Sequence, residues 1–164
     1  MKHIISVLVE NKFGVLARIV GLFSARGYNI ASLAVSATLD PKISYMTIVI
    51  ESQDEKILEQ IKKQLNKLIN VITVTDFTKE EHIERELILA KVRYSIKDKA
   101  KLAAVFNKYI GKIVYHKDGT AIVEAVGDRI QIKSLLDELN KLGIQDVVRT
   151  GKLAISKMIT KKNL

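Results

Sequence analysis

The chain has 164 residues, of which 48% are hydrophobic and 27% charged, enough apolar sequence for one medium domain or two small ones. It contains no cysteine, which excludes disulfides, thiol catalysis and thiolate metal ligands, and we therefore expect a cytoplasmic protein. The net charge of +9 lies mostly after residue 80, and no apolar run approaches the ~20 residues of a membrane span.

The first half of the chain predicts the element order βαββαβ. A stripe of Leu16, Ile19, Val20 and Phe23, spaced i, i+3, i+4 and i+7, predicts one buried helix face. Right-handed crossovers then give a four-stranded antiparallel sheet with two helices on one face. The predicted elements are a strand over 3–10, a helix over about 15–26, strands over 29–39 and 43–51, a helix opened by the capping box Ser52-Gln53-Asp54-Glu55, and a strand over 70–77.

The second half repeats this order after a polar boundary at 79–84. Asp118-Gly119 is a strong signal for a type I′ turn, which predicts a hairpin. The predicted elements are a strand over 85–94, a helix from Ser95-Ile96-Lys97-Asp98 through Tyr109, hairpin strands over 112–116 and 120–126, a helix capped by Asp128 and ended by Gly143, a strand over 145–149, and a basic tail from Gly151. The predicted fold class is therefore α+β, with two tandem ferredoxin-like βαββαβ domains, each a four-stranded antiparallel sheet with two helices.

The stretch from Glu10 to Leu33 carries the chemistry of most interest. Gly14 precedes the first helix and leaves its first N–H groups uncovered, where the helix dipole favours an anion. Asn11 and Asn29 are predicted to flank that end with amides that both donate and accept hydrogen bonds. Such a place suits the carboxylate and ammonium of a free amino acid. The structural alternative is that Asn11 is a loop or capping residue and Gly14 a turn residue.

The same stretch resembles a known family. The run E-N-K-F-G-V-L-A-R-I-V-G-L-F-S-A-R-G-Y-N-I-A-S-L closely resembles the regulatory small subunit of acetohydroxyacid synthase, also called acetolactate synthase, which begins with an ACT domain. Segments within 39–48, 85–92 and 143–156 are similar to its second hairpin, the start of its C-terminal domain and its last strand with the tail. The resemblance covers nearly the whole chain. It implies an ACT domain over 1–78 and a C-terminal ferredoxin-like domain over 84–160.

This resemblance implies a non-catalytic regulatory subunit of branched-chain amino-acid biosynthesis. Two chains would pair as a homodimer through their ACT domains, and a feedback inhibitor, expected to be valine, would bind at their interface. The catalytic large subunit would be the partner that this chain activates. The thiamine diphosphate, FAD and magnesium would belong to that subunit, with no cofactor in this chain. The effector residues carried over are Asn11, Gly14 and Asn29, with Val15, Leu16 and Ile30 as adjacent candidates.

Some positions depart from the family's pattern. Ala31 stands where an acidic residue is usual, Tyr45 where an arginine is usual, and Lys157-Met158 where an Arg-Gly pair is common. Residues 112–126 also match poorly. Neither departure in the first domain removes Asn11, Gly14 or Asn29.

No catalytic constellation is apparent in the sequence. His3, His82 and His116 lie far apart without metal-ligand spacing, and each is expected at the surface. Glu84 and Glu86 could share a strand face for acid–base work, but beside Arg85, Arg93 and several lysines, surface ion pairs are the simpler interpretation. Phosphate-binding glycine loops are absent.

Two alternatives from other classes stay open at this point. A basic ferredoxin-like nucleic-acid-binding protein would fit the charge, but only 5% of the residues are aromatic, and Tyr45 and Tyr94 are isolated on the central strands. A stand-alone amino-acid sensor would share the predicted site but lack the enzyme partner. We expect neither nucleic acid nor membrane as a partner.

Overall fold

The computed structural model describes residues 2–52, 55–93, 99–106 and 108–158. The chain divides into two compact units, the first formed by residues up to 83 together with those from 152 onward, and the second by 84–151. Parts of both predicted capping boxes, Gln53-Asp54 and Ser95-Ile96-Lys97-Asp98, fall outside the described residues, as does Tyr94.

The first unit is a four-stranded antiparallel sheet with strand order β2-β3-β1-β4. Its elements are β1 (Lys2–Glu10), α1 (Val15–Ser24), β2 (Ile30–Ala37), β3 (Ile43–Glu51), α2 (Glu55–Leu65) and β4 (Val71–Asp76). The second unit has the same antiparallel arrangement, with strand order β6-β7-β5-β8. Its elements are β5 (His82–Arg93), α3 (Lys99–Phe106), β6 (Ile110–Lys117), β7 (Thr120–Gly127), α4 (Arg129–Leu142) and β8 (Ile144–Arg149). The predicted fold class is confirmed.

The core of the first unit lies between its sheet and the two helices. Strand residues Ile5, Val7 and Val9 contribute one side, because alternate residues of a strand share a face. The helix α1 contributes Val15, Ile19 and Phe23, spaced i, i+4 and i+8. The predicted burial of Ile19 and Phe23 is confirmed, whereas Leu16, also expected inside, is 42% exposed and Val15 takes its place in the core.

A ninth strand, β9 (Leu153–Ser156), lies in the segment that the sequence predicts only as a basic tail. It pairs with β5, whose first two residues belong to the first unit. Ala154 of β9 is buried in an apolar cluster with Ile4, Val49 and Phe77, on the sheet face opposite the helices. The prediction of a tail without a strand was wrong, because a four-residue strand with one buried side chain has too little apolar periodicity to be recognised.

Two hydrogen bonds attach the segment around β9 to the first sheet. The Tyr45 hydroxyl donates to the Ala154 carbonyl oxygen at 3.0 Å, and the Lys152 N–H donates to Ser32 Oγ at 3.0 Å. Burial raises the pKa of Tyr45, although a hydrogen bond with Ser6 opposes the shift. Tyr45, one of the departures from the family pattern, thus holds a structural contact.

The second unit follows its predicted local signals closely. Asp118 and Gly119 both have positive φ, 47° and 74°, as a type I′ turn requires. Asp128 and Gln131 form a capping box at the start of α4, and Gly143 ends that helix with φ 101°. The helix α3 ends at Phe106 and does not continue through Tyr109, since β6 already begins at Ile110.

Two polar side chains expected at the surface are buried. His3 lies between the Thr78 hydroxyl and the Ser52 carbonyl oxygen, each at 3.2 Å from a ring nitrogen, so the expectation of a surface histidine was wrong. Glu86 is 5% exposed and accepts two hydrogen bonds from Arg149, at 2.8 and 2.7 Å. Glu86 thus forms an ion pair, but with the distant Arg149 and in a buried position, so the expectation of a surface ion pair with basic residues close in sequence was wrong. The hydrogen bond to the Glu86 carboxylate raises the pKa of the Arg149 guanidinium.

Candidate effector site

The start of α1 is an uncapped helix end. Gly14 occupies the N-cap position with φ 78° and ψ −6°, a left-handed conformation that an L-residue rarely adopts. It supplies no side-chain cap, and the first turn contains no acidic residue. Within the described chain, the N–H groups of Leu16 and Ala17 have no hydrogen-bond acceptor. Because the helix dipole adds a partial positive charge there, this end suits a carboxylate.

Asn11 lies on the loop that leads into this helix end. Its backbone N–H donates to the Lys42 carbonyl oxygen at 2.6 Å, and its side-chain Nδ2 donates to the Pro41 carbonyl oxygen at 2.9 Å. These bonds fix the side chain, so that its Oδ1 stays available as an acceptor. The Asn11 Oδ1 acceptor can bind the ammonium of a free amino acid, while the neighbouring uncapped helix end binds its carboxylate.

A small polar network surrounds the same loop. The side chain of Asn70 donates to Glu10 and accepts from Arg18 at 2.7 Å, and Lys12 Nζ lies 3.1 Å from Glu10. The hydrogen bond from Asn70, followed by that from Lys12, lowers the pKa of Glu10. This network places one carboxylate and two cations near the helix end. Asn70 and Arg18 are far apart in sequence, and no sequence pattern connected either of them to the site.

Asn29 and Ile30 lie elsewhere on the same chain. Ile30 pairs with Ile50, which in turn pairs with His3 at the beginning of β1, whereas Asn11 follows the end of β1. The seven residue steps from His3 to Glu10 correspond to about 23 Å along a strand. The prediction that Asn29 flanks the N-terminal end of α1 was therefore wrong. Asn29 is exposed beside the other end of that helix.

The remaining candidates divide in the same way. Leu16 is exposed next to Gly14, and Val15 is buried in the core, so that only its backbone is open to a ligand. The structure therefore brings together Asn11, Gly14, Val15 and Leu16 and leaves Asn29 with Ile30 as a separate group. Metal-binding clusters of histidine and acidic residues are absent from the part of the chain that is described.

Comparison with known proteins identifies the family. A family model described as the AHAS small subunit-like ACT domain matches residues 5–73, and one described as the small subunit of acetolactate synthase matches residues 85–158. The probable acetolactate synthase small subunit of Archaeoglobus fulgidus is 44% identical over 155 residues, covering 94% of this chain and 96% of that protein. This chain belongs to the acetolactate synthase small-subunit family.

Other members of the small-subunit family agree over the same length. The acetolactate synthase small subunit of Mycolicibacterium smegmatis is 42% identical, covering 94% of this chain and 91% of that protein. The crystal structure of the acetolactate synthase small subunit from Thermotoga maritima is 33% identical, with a TM-score of 0.86 over 98% of this chain and 99% of that one. The family supports a regulatory role and implies association with a catalytic large subunit.

Neither the residue roles nor the domain bounds are decided by these matches. The effector residues Asn11, Gly14, Val15, Leu16, Asn29 and Ile30 stay predictions, as do the bounds 1–78 and 84–160. No helix among the described residues is both long and apolar enough to cross a membrane.

Proposed function

We propose that this small subunit binds a branched-chain amino acid, with valine as the first candidate, and through it regulates a catalytic large subunit. The observation that carries the proposal is the uncapped start of α1 behind a left-handed glycine, with Asn11 fixed beside it. A free amino acid has the two charged groups that such an end complements.

The effector carboxylate would accept hydrogen bonds from the N–H groups of Leu16 and Ala17. Both groups point out of the first helical turn, and no side chain competes for them within the described chain. The ammonium would donate to Asn11 Oδ1, and Glu10 adds a negative charge nearby. The exposed side chain of Leu16 offers an apolar surface to an aliphatic effector.

The positions of Asn11 and Asn29 favour a site built from two chains. Both residues follow from the same family motif, yet within one chain they lie near opposite ends of β1, which spans about 23 Å from His3 to Glu10. In a two-fold dimer whose axis runs perpendicular to α1, with the two α1 helices side by side, the start of each α1 would lie next to the end of its partner's α1. Asn11 and Gly14 of one protomer would then meet Asn29 and Ile30 of the other. The effector would be held only by a dimer.

Regulation follows from such an arrangement by population shift. An effector that binds across two chains stabilises the dimer arrangement in which the two halves of the site meet. If the large subunit is activated by a different arrangement, the effector lowers activation without touching the catalytic site. Thiamine diphosphate, FAD and magnesium would be held by the large subunit, which performs the synthase reaction.

Calorimetric titration and activity together test this proposal. The purified chain is titrated with valine, leucine and isoleucine, and synthase turnover of the large subunit is measured with and without the chain at rising valine. We expect valine binding, a rise in turnover with the chain, and loss of that rise with valine. Turnover that is unchanged by the chain contradicts the regulatory role. A chain that binds valine without affecting any synthase is a stand-alone sensor.

A further inference from the structure

Three large apolar side chains stand almost fully in solvent at one end of the first unit. Phe13 lies on the loop between β1 and α1, Leu39 on the hairpin between β2 and β3, and Ile69 on the loop between α2 and β4. Leu39 and Ile69 are 95% and 96% exposed, and Phe13 is exposed to the same degree. We call these three residues the tip triad. Single exposed apolar residues are ordinary, but three at one end of a small unit are a signature of an interaction site.

The loops that carry the tip triad are joined to one another by hydrogen bonds. Asn11 connects the first loop to the hairpin through its bonds to Pro41 and Lys42, and the Glu10 N–H donates to the Asn70 carbonyl oxygen at 2.9 Å. The Lys42 N–H also donates to Asp40 Oδ1 at 2.9 Å, and this bond orders the hairpin turn. A surface ordered before binding loses less conformational entropy when a partner docks, which favours its use as a recognition surface.

The charge on these loops argues against a second copy of this chain as the partner. Lys12, Lys42 and Lys67 lie on the three loops and are exposed. The acidic side chains described at this end are Asp40 and, at the end of β1, Glu10, which pairs with Lys12, so Lys42 and Lys67 leave a positive excess. A two-fold contact through the tip would place each set of lysines opposite itself, which electrostatic repulsion opposes. A partner with an acidic rim around an apolar pocket complements both features.

We propose that the tip triad is the part of the first unit that docks onto an apolar, acidic-rimmed pocket of the catalytic large subunit. This inference rests on the proposed function, because it assigns a surface to the partner named there. It also gives a short route for regulation: Phe13 lies between Asn11 and Gly14, so the loop that would hold the effector also contacts the large subunit. Effector binding and docking would then bias the same loop.

The experiment uses the full chain and its large subunit, with Leu39→Ser and Ile69→Ser as test variants. Phe13 is left unchanged, since it lies within the proposed effector loop. The matched control is Ile130→Ser, a 79% exposed isoleucine in the first turn of α4. Affinity for the large subunit is measured by titration calorimetry, beside a thermal melt, sedimentation and a valine titration of each variant.

We expect each test variant to raise the dissociation constant for the large subunit at least tenfold, because a large apolar anchor in a pocket is a typical hot spot. Ile130→Ser should change it less than twofold. Melting temperature, sedimentation and valine affinity should stay as in the unchanged protein. The double variant Lys42→Glu and Lys67→Glu should also weaken docking, and the affinity of the unchanged protein should fall as salt rises.

The outcomes separate the two proposals. If the unchanged protein does not bind the large subunit, the proposed function and this inference both fail. If it binds, and Leu39→Ser and Ile69→Ser bind equally well, only the docking surface is wrong. A smaller assembly by sedimentation in either variant would show that the tip joins copies of this chain, and that result also overturns the inference.

Discussion

Gly14→Asp tests the candidate site directly, and the structure allows its consequences to be worked out. An added Cβ at Gly14 meets no atom within 4 Å, so the aspartate fits sterically. At φ 78° a side chain costs roughly 1–2 kcal/mol, towards the lower value for Asp and Asn, which tolerate the left-handed region. A negative charge at the start of α1 returns about 0.3–1 kcal/mol through the helix dipole. The net loss of stability should therefore be about 1 kcal/mol or less.

The effect on the effector should be much larger. Two unit charges about 4 Å apart repel by ~4 kcal/mol at an effective dielectric constant of 20 and by ~1 kcal/mol in bulk water. These limits correspond to a loss of about fivefold to a thousandfold in affinity for a carboxylate. The aspartate also occupies the space in front of the Leu16 and Ala17 N–H groups. We expect a subunit that still activates the synthase but no longer responds to valine.

Gly14→Asn is the matched control, because it has nearly the same size and the same tolerance of positive φ without the charge. Synthase activity against valine concentration is measured for both variants, beside a thermal melt. Gly14→Asp should lower the affinity for valine at least about fivefold more than Gly14→Asn does. The melting temperature should fall by no more than ~4 °C in either variant. Full valine sensitivity in both variants would place the site elsewhere, and loss of folding in both would make Gly14 a structural turn residue.

Three further predictions follow from the same structure. Asn11→Ala and Asn29→Ala should each abolish valine binding. A mixed dimer of the two variants should nevertheless bind one valine by calorimetry, because one of its two sites keeps both asparagines. If the mixed dimer binds no valine, a site built from two chains is contradicted. Tyr45→Phe removes the hydrogen bond to Ala154 and should lower the free energy of unfolding by about 1 kcal/mol. Since burial raises the folded-state pKa of Tyr45, this contribution is complete below the unfolded-state pKa of ~10 and is lost as pH rises from there through the folded-state value. Denaturant titrations of both proteins over rising pH measure it, and a stability difference that does not shrink above the unfolded-state pKa argues against it. Arg149→Leu leaves the buried Glu86 carboxylate without its partner and should lower the free energy of unfolding by about 2–3 kcal/mol. This is less than for a fully buried pair, because Arg149 is half exposed. An unchanged midpoint in denaturant titrations would refute the importance of the pair.

Local signals in the sequence predict most of the fold. The Asp118-Gly119 turn, the Asp128 cap and the Gly143 helix end depend on the conformations of a few neighbouring residues, so they can be recognised without the rest of the molecule. In α1 the buried positions Ile19 and Phe23 are confirmed, but Leu16 was wrong, since Val15 and Leu16 are both apolar and only the sheet decides which of them is covered.

The sequence by itself determined the two βαββαβ units, the family and the uncapped helix end at Gly14, because periodicity, turn chemistry and an ordered motif are all local properties. Only the tertiary structure decided that Asn29 lies at the far end of α1, that β9 joins the first unit, and that Glu10, Asn70 and Arg18 meet around one loop. These relations depend on strand register and on contacts between residues more than fifty positions apart. No local pattern encodes such contacts, since they arise only when the sheet has brought the distant segments together.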